Sequence, residues 1–181
     1  MRVLFLDIDG VLNSQDWYRE RQKLSHGMIR PPDDFFRNED PHIRRQLWEI
    51  DPQALTVLKG IVEAFKLKIV ISSAWRIGED LGRFGYLFFR RIGWQVPLGT
   101  IIDKTPNIWG HDKVNIIRGD EVDHWLKNSP LAGDVGAYII IDDNSDFHPH
   151  QKPNFLQTDG RYGLKDYHHD LVEAILERQA Q

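Results

Sequence analysis

The chain has 181 residues, room for one compact unit of ordinary size, and its 23 Lys+Arg against 27 Asp+Glu leave a formal charge of −4. That balance excludes a generally basic protein that coats nucleic acid, while allowing local basic patches. The absence of cysteine excludes disulfides, thiolate zinc sites, iron–sulfur clusters and cysteine nucleophiles together.

Short apolar runs alternate with helix-length amphipathic stretches, the pattern of a parallel α/β sheet. The first predicted strand, Arg2–Leu6, ends abruptly in Asp7-Ile8-Asp9-Gly10. The opening stretch MRVLFLDIDG is too short and too acidic for a signal peptide, and no apolar run is long enough to span a bilayer, so a cytoplasmic protein is expected. Asn13–Ile50 is long, aromatic and arginine-bearing, with Pro31-Pro32 at its middle. A structureless loop of that length is unusual in a compact domain, so a small cap or flap is expected there.

Asp51 before Pro52 reads as an N-cap followed by proline at the first helical position, with Leu55, Leu58, Val62 and Phe65 at helical spacing. The second strand is Leu67–Ile71, ending in Ser72-Ser73, and a weaker third is Gly99–Ile102. A helix containing Ile117, Val122, Trp125 and Leu126 stops before Pro130. The fourth strand, Ala137–Ile141, ends in Asp142-Asp143, and the fifth, Phe155–Gln157, is followed by Thr158-Asp159-Gly160. A last helix runs from about Asp166 to Gln179. Near-continuous β-branched runs are what strands covered on both faces require.

The chemistry lies in where the acids fall. In an open α/β sheet, ligands bind outside the carboxyl ends of the strands, near the topological switch point. If strands one and four are neighbours, Asp7, Asp9, Asp142 and Asp143 converge, and such a cluster needs a compensating cation. Oxygen-only ligands favour a hard ion, Mg²⁺ held partly by water. Ser72 adds a hydroxyl beside the same spot, and Arg76, Lys113 and Arg118 are sources of positive charge. Carboxylates, a metal, a hydroxyl and a basic residue suit phosphoryl transfer through an aspartyl-phosphate.

These residues carry a family resemblance. D-x-D-G-V-L at Asp7–Leu12 resembles motif I of the haloacid dehalogenase (HAD) superfamily of aspartate-nucleophile phosphatases. Leu67–Ser72 with Ser73-Ala74-Trp75-Arg76 resembles its motif II, and Ile139–Asp143 with Asp146 its motif IV. The T-P…R-G-x-E-V-x-x-W-L pattern across Thr105–Leu126, and Phe155–Leu164, are similar to the compact subgroup found in RNA-repair proteins. The resemblance implies a three-layer, Rossmann-like α/β fold with a parallel five-stranded sheet in a single domain over 1–181, with 13–50 as a cap or flap inserted after the first strand.

Carried over position by position, it implies Asp7 as nucleophile and Asp9 as general acid, then base. Ser72 would bind a phosphoryl oxygen, with Ser73, Arg76 and Lys113 as substrate-binding residues. Mg²⁺ would be held by the side chains of Asp7 and Asp143 and the backbone carbonyl of Asp9, with Asp142 beside them. The basic motif III residue is Arg118, with Lys113 as the second choice. Most members carry lysine there.

Other features admit plainer readings. Asp146 is either a neighbour of the site or an N-cap. His148, His150, His168 and His169 have no carboxylate at matching spacing and read as solvated positions. Trp17-Tyr18 with Arg19, Arg21, Arg37, Arg44 and Arg45 fit either a base-stacking, phosphate-binding flap or a purely structural one. The expected function is a Mg²⁺-dependent phosphomonoesterase acting on a nucleotide or a nucleic-acid terminal phosphate. The alternatives are a receiver-like module that accepts phosphate without turnover, and a phosphatase of small metabolite phosphates.

Overall fold

A computed structural model describes residues 1–25, 27–28, 30–108 and 116–180. Five parallel strands form one sheet in the order β3-β2-β1-β4-β5: β1 Arg2–Leu6, β2 Leu67–Ile71, β3 Ile101–Lys104, β4 Ala137–Asp142 and β5 Phe155–Gln157. The described helices are α1 Gln15–Leu24, α2 Pro41–Glu49, α3 Pro52–Phe65, α4 Leu81–Ile92, α5 Arg118–Asn128 and α6 His168–Arg178. None of them is long and apolar enough to cross a membrane.

The strand pleat divides the core in two. Leu4, Leu6, Ile69, Ile71, Ile139 and Ile141 point to one face and pack with α3, α4 and α6. Val3, Phe5, Val70 and Ile140 point to the other and meet Val122 and Trp125 of α5, where Phe5 and Trp125 sit edge to face at 5.3 Å. The result is three layers. Each fully buried aliphatic or aromatic side chain contributes about 1.5–3 kcal/mol, which is why both faces must be covered.

Parallel crossovers are right-handed, so a chain that reverses its direction across the sheet must change faces. The chain steps outward from β1 through β2 to β3, then returns through α5 to place β4 on the far side of β1. The switch point therefore falls between β1 and β4.

Helix starts follow local chemistry. Asp51 caps α3 by accepting from the Gln53 N–H at 2.8 Å, with Pro52 in the first turn as its spacing predicts. Segment 13–50 contains α1, capped by Ser14, and α2, capped by Asp40. It is tied to α4 by Arg90–Glu39 at 2.7 Å and by Tyr86 donating to Glu39. Residues 81–92, to which the apolar pattern assigns nothing, form α4: Gly82 and Gly85 dilute the stripe made by Phe84, Leu87 and Phe88. The third strand begins two residues later than expected, because Gly99, at φ +73°, belongs to a turn closed by Thr100 N–H to the Pro97 carbonyl. Ile117 is the residue before α5 rather than part of it.

Candidate active site

Strand register builds the site. Leu6 pairs with Ile71 on one side and Ile141 on the other, so the next residue along each strand brings Ser72, Asp7 and Asp142 abreast. The ladder continues one step past the strands: Ser72 N–H donates to the Leu6 carbonyl at 2.8 Å and Asp7 N–H to the Ile141 carbonyl at 3.0 Å. Asp7, Ser72 and Asp142 are buried, and one carboxylate oxygen from each of Asp7, Asp142 and Asp143 lies within 4.8 Å of the others.

This crowding dominates the electrostatics. Burial raises the pKa of Asp7, against the lowering effects of the Arg118 guanidinium and the Ser73 hydroxyl. Burial, then the charge of Asp7, pushes Asp142 up to about 8. Asp143 is also raised, chiefly by burial. One Asp142 oxygen accepts from Asn144 N–H at 2.9 Å, while the other, Oδ2, is buried without a hydrogen-bond partner among the described residues. An orphaned carboxylate oxygen among three converging acids fits a hard divalent cation. Mg²⁺ would be held there by Asp7, Asp142 and Asp143.

Glycine makes the space that Asp143 occupies. A Cβ on Gly10, whose φ is +70°, would fall inside the Asp143 carboxyl group, and one on Gly160 would lie 2.5 Å from Asp143 Oδ2. Thr158 ties the two loops together, its hydroxyl donating to the Gly10 carbonyl at 3.1 Å. The strand-end TDG after β5 is the signal in the sequence that marks this wall.

Asp9 stands apart from the three-acid cluster, exposed at the mouth of a cleft. Its carboxylate accepts from Asn13 Nδ2 at 2.7 Å and from Trp75 Nε1 at 3.1 Å to each oxygen. Water is partly excluded on its protein side, and this loss of solvation, followed by the charge of Asp7, raises its pKa. A carboxyl whose pKa is raised beside a nucleophilic carboxylate is suited to proton donation. Asn13 does not stand out in the sequence as part of a site, and Trp75 lies in the stretch that resembles motif II with no role of its own assigned.

Ser72 and Ser73 divide their work. The Ser72 hydroxyl is buried with no hydrogen-bond partner among the described residues, so a donor is held in reserve beside Asp7. Ser73 instead caps the short 3₁₀ turn at 74–76, accepting from Trp75 N–H at 3.3 Å.

The arginines also separate. Arg118, first residue of α5, lies with Nε 3.9 Å from Asp142 Oδ2 and donates to the Ser72 carbonyl. It therefore faces the acid cluster. Arg76, expected to bind substrate, has no donor left for one. Its Nε bonds the Thr105 carbonyl, its Nη1 the Ser72 and Ser73 carbonyls, and its Nη2 the Pro106 carbonyl and Glu121 at 2.7 Å. With five donors engaged and the side chain 3% exposed, Arg76 is an internal strut. Asp146, in the loop after β4, accepts from the Arg118 N–H at the start of α5 at 3.0 Å, while the N-cap position itself is Ile117. Lys113 lies outside the described residues.

The histidines are not simply solvated. His148 pairs with Asp120 at 2.8 Å and His150 with Asp123 at 3.0 Å, stitching the loop after β4 to α5. His168 is buried and accepts from Lys165 N–H at 2.8 Å.

Residues 3–169 match the model of one protein family, described as the HAD domain in Swiss Army Knife RNA repair proteins. No curated protein and no solved structure matches the chain at a significant level.

Proposed function

The chain belongs to the family of HAD domains in Swiss Army Knife RNA repair proteins, a phosphatase-type hydrolase fold, and from that premise we propose a Mg²⁺-dependent phosphomonoesterase that works through an aspartyl-phosphate on a nucleotide or a nucleic-acid terminal phosphate. The observation that carries the reading is the register that sets Ser72, Asp7 and Asp142 abreast, with Arg118 facing them.

In the first step a carboxylate oxygen of Asp7 attacks phosphorus, and the bond from phosphorus to the leaving oxygen breaks. Asp9, whose pKa is raised by partial desolvation and by the charge of Asp7, gives a proton to that oxygen. The Ser72 hydroxyl donates to a phosphoryl oxygen, exchanging an unpartnered state for a charge-assisted hydrogen bond. Arg118 offsets negative charge at the cluster through its side chain. When bound, Mg²⁺ supplies charge neutralisation that lets an anionic nucleophile meet an anionic electrophile. In the second step Asp9, now ionised, takes a proton from water as that water attacks the phospho-Asp7, and inorganic phosphate and the Asp7 carboxylate are regenerated.

The test is hydrolysis of p-nitrophenyl phosphate and of phosphorylated oligonucleotides with and without Mg²⁺, alongside Asp7→Asn. Phosphate release that needs Mg²⁺ and Asp7 is the expected result. Undiminished turnover in Asp7→Asn overturns the nucleophile, and a lasting phospho-Asp7 without phosphate release identifies a phospho-accepting module instead.

A further inference from the structure

The cleft that opens at Asp9 holds a feature the phosphoryl-transfer chemistry does not use. It encloses about 790 Å³ between the 13–50 segment and Trp75, and Tyr18, Arg21, Arg45 and Glu49 line it together with Asp9. A volume of this size accommodates a whole small organic ligand rather than a lone phosphate.

Arg21 is the anomaly. The residue is only 8% exposed, yet among the described residues no carboxylate lies within ion-pair distance of its guanidinium, and its buried Nε has no hydrogen-bond partner. Glu49, the acid whose field reaches it, is hydrogen-bonded at 2.9 Å to Arg45 instead. The Tyr18 ring lies 5.5 Å from its guanidinium carbon. A buried charge without a partner is costly, and proteins keep one where a ligand completes it. A guanidinium with free donors selects an anion, and its planar fork matches phosphate oxygens.

We propose that Arg21 receives a second phosphate of the substrate, so that the preferred substrates carry two phosphate groups, one cleaved at Asp7 and one held in the cleft. The inference rests on the phosphatase reading for which phosphate is cleaved, but not for the binding of the other. The second phosphate belongs either to a nucleoside bisphosphate or, as a diester, to the next link of an oligonucleotide. Tyr18 and Trp75 line the same cleft, aromatic side chains of the kind on which a nucleoside between the two phosphates stacks. Removing a charge-assisted contact of this kind costs roughly 10- to 100-fold in affinity or in kcat/KM.

The experiment compares adenosine 3′,5′-bisphosphate, adenosine 3′- and 5′-monophosphate and a 3′-phosphorylated trinucleotide, with wild type, Arg21→Gln and Arg21→Lys. The readout is the ratio of kcat/KM for two-phosphate over one-phosphate substrates. The ratio is expected to exceed 10 in wild type, to collapse toward 1 in Arg21→Gln and to recover in part in Arg21→Lys. An equal loss of kcat/KM on all substrates in Arg21→Gln, with the ratio unmoved, overturns the proposal, as does a wild-type ratio near 1. A preference for the trinucleotide over the free bisphosphate identifies the diester as the natural second group, and the reverse preference the bisphosphate. Calorimetric binding of adenosine 3′,5′-bisphosphate to Asp7→Asn, with and without Arg21→Gln, separates the two readings. Arg21-dependent binding without turnover in wild type supports the second-phosphate site and refutes the phosphatase. Asp7-dependent turnover without Arg21-dependent binding does the opposite.

Discussion

Replacing Gly160 with alanine places a methyl group 2.5 Å from Asp143 Oδ2. Ordinary contact requires about 3.5 Å, so the carboxylate must withdraw by roughly 1 Å. Gly160 has no positive φ, which leaves the backbone unstrained and makes the substitution a clean displacement of one acid. Disturbing the support of a metal-ligating group typically costs about 10- to 100-fold in metal affinity, and that loss of Mg²⁺ affinity is expected here. Gly10→Ala adds a left-handed backbone penalty of about 1–2 kcal/mol to a similar clash, so it should lower the melting temperature as well. The two are told apart in an Asp143→Ala background. There the nearest described atom to the Gly160 methyl is Cβ of residue 143 at 3.7 Å, an ordinary contact, whereas the Gly10 methyl still meets it at 2.7 Å. Mg²⁺ titration followed by calorimetry should show Gly160→Ala weakening binding in the wild-type background and doing nothing further in Asp143→Ala. Equal weakening in both backgrounds, or none in either, refutes the reasoning that Gly160 acts through Asp143.

Arg76→Met leaves Glu121 buried without its 2.7 Å partner and the Thr105, Ser73 and Pro106 carbonyls without its donors, so urea denaturation should show a loss of about 3–5 kcal/mol, of which Arg76→Met/Glu121→Leu restores only the part due to the carboxylate. Asp9→Asn removes both the proton donor and the later base; the single-turnover rate of leaving-group release should fall about 10²- to 10⁴-fold on alkyl phosphates and far less on p-nitrophenyl phosphate, whose leaving group needs no proton. Burial lowers the pKa of His168, so the folded state binds fewer protons there than the unfolded state. Its contribution to stability is therefore complete above about pH 6.5 and is lost as the pH falls below it. Thermal melts between pH 7.5 and pH 5 (a range chosen to bracket ~6.5) should show a shallower decline for His168→Asn than for wild type.

Much of this protein is written locally. The strands Arg2–Leu6, Leu67–Ile71 and Phe155–Gln157 lie at their predicted limits because each is a short apolar run ended by turn-forming or acidic residues. The start of α3 is equally local, since an Asp-Pro pair both caps a helix and sets its first φ. Helix α4 was illegible for the opposite reason: two glycines weaken the stripe, and its packing against the sheet and α2 supplies what its own propensity lacks.

The sequence by itself determined which residue types stand at strand ends, and with no cysteine present it left Asp and oxygen ligands as the available chemistry. It could not say that β4 lies beside β1, because strand order and register depend on contacts between residues more than a hundred positions apart. Only that adjacency turns separate acids into one cluster. The tertiary structure also decided between arginines of similar local appearance: Arg76 is consumed by carbonyls and Glu121, Arg118 faces the acids, and Arg21 is buried with no ion-pair partner among the described residues. A side chain's chemistry is read from its type, but whether its donors are free is a question of distance, and distance exists only in the folded chain.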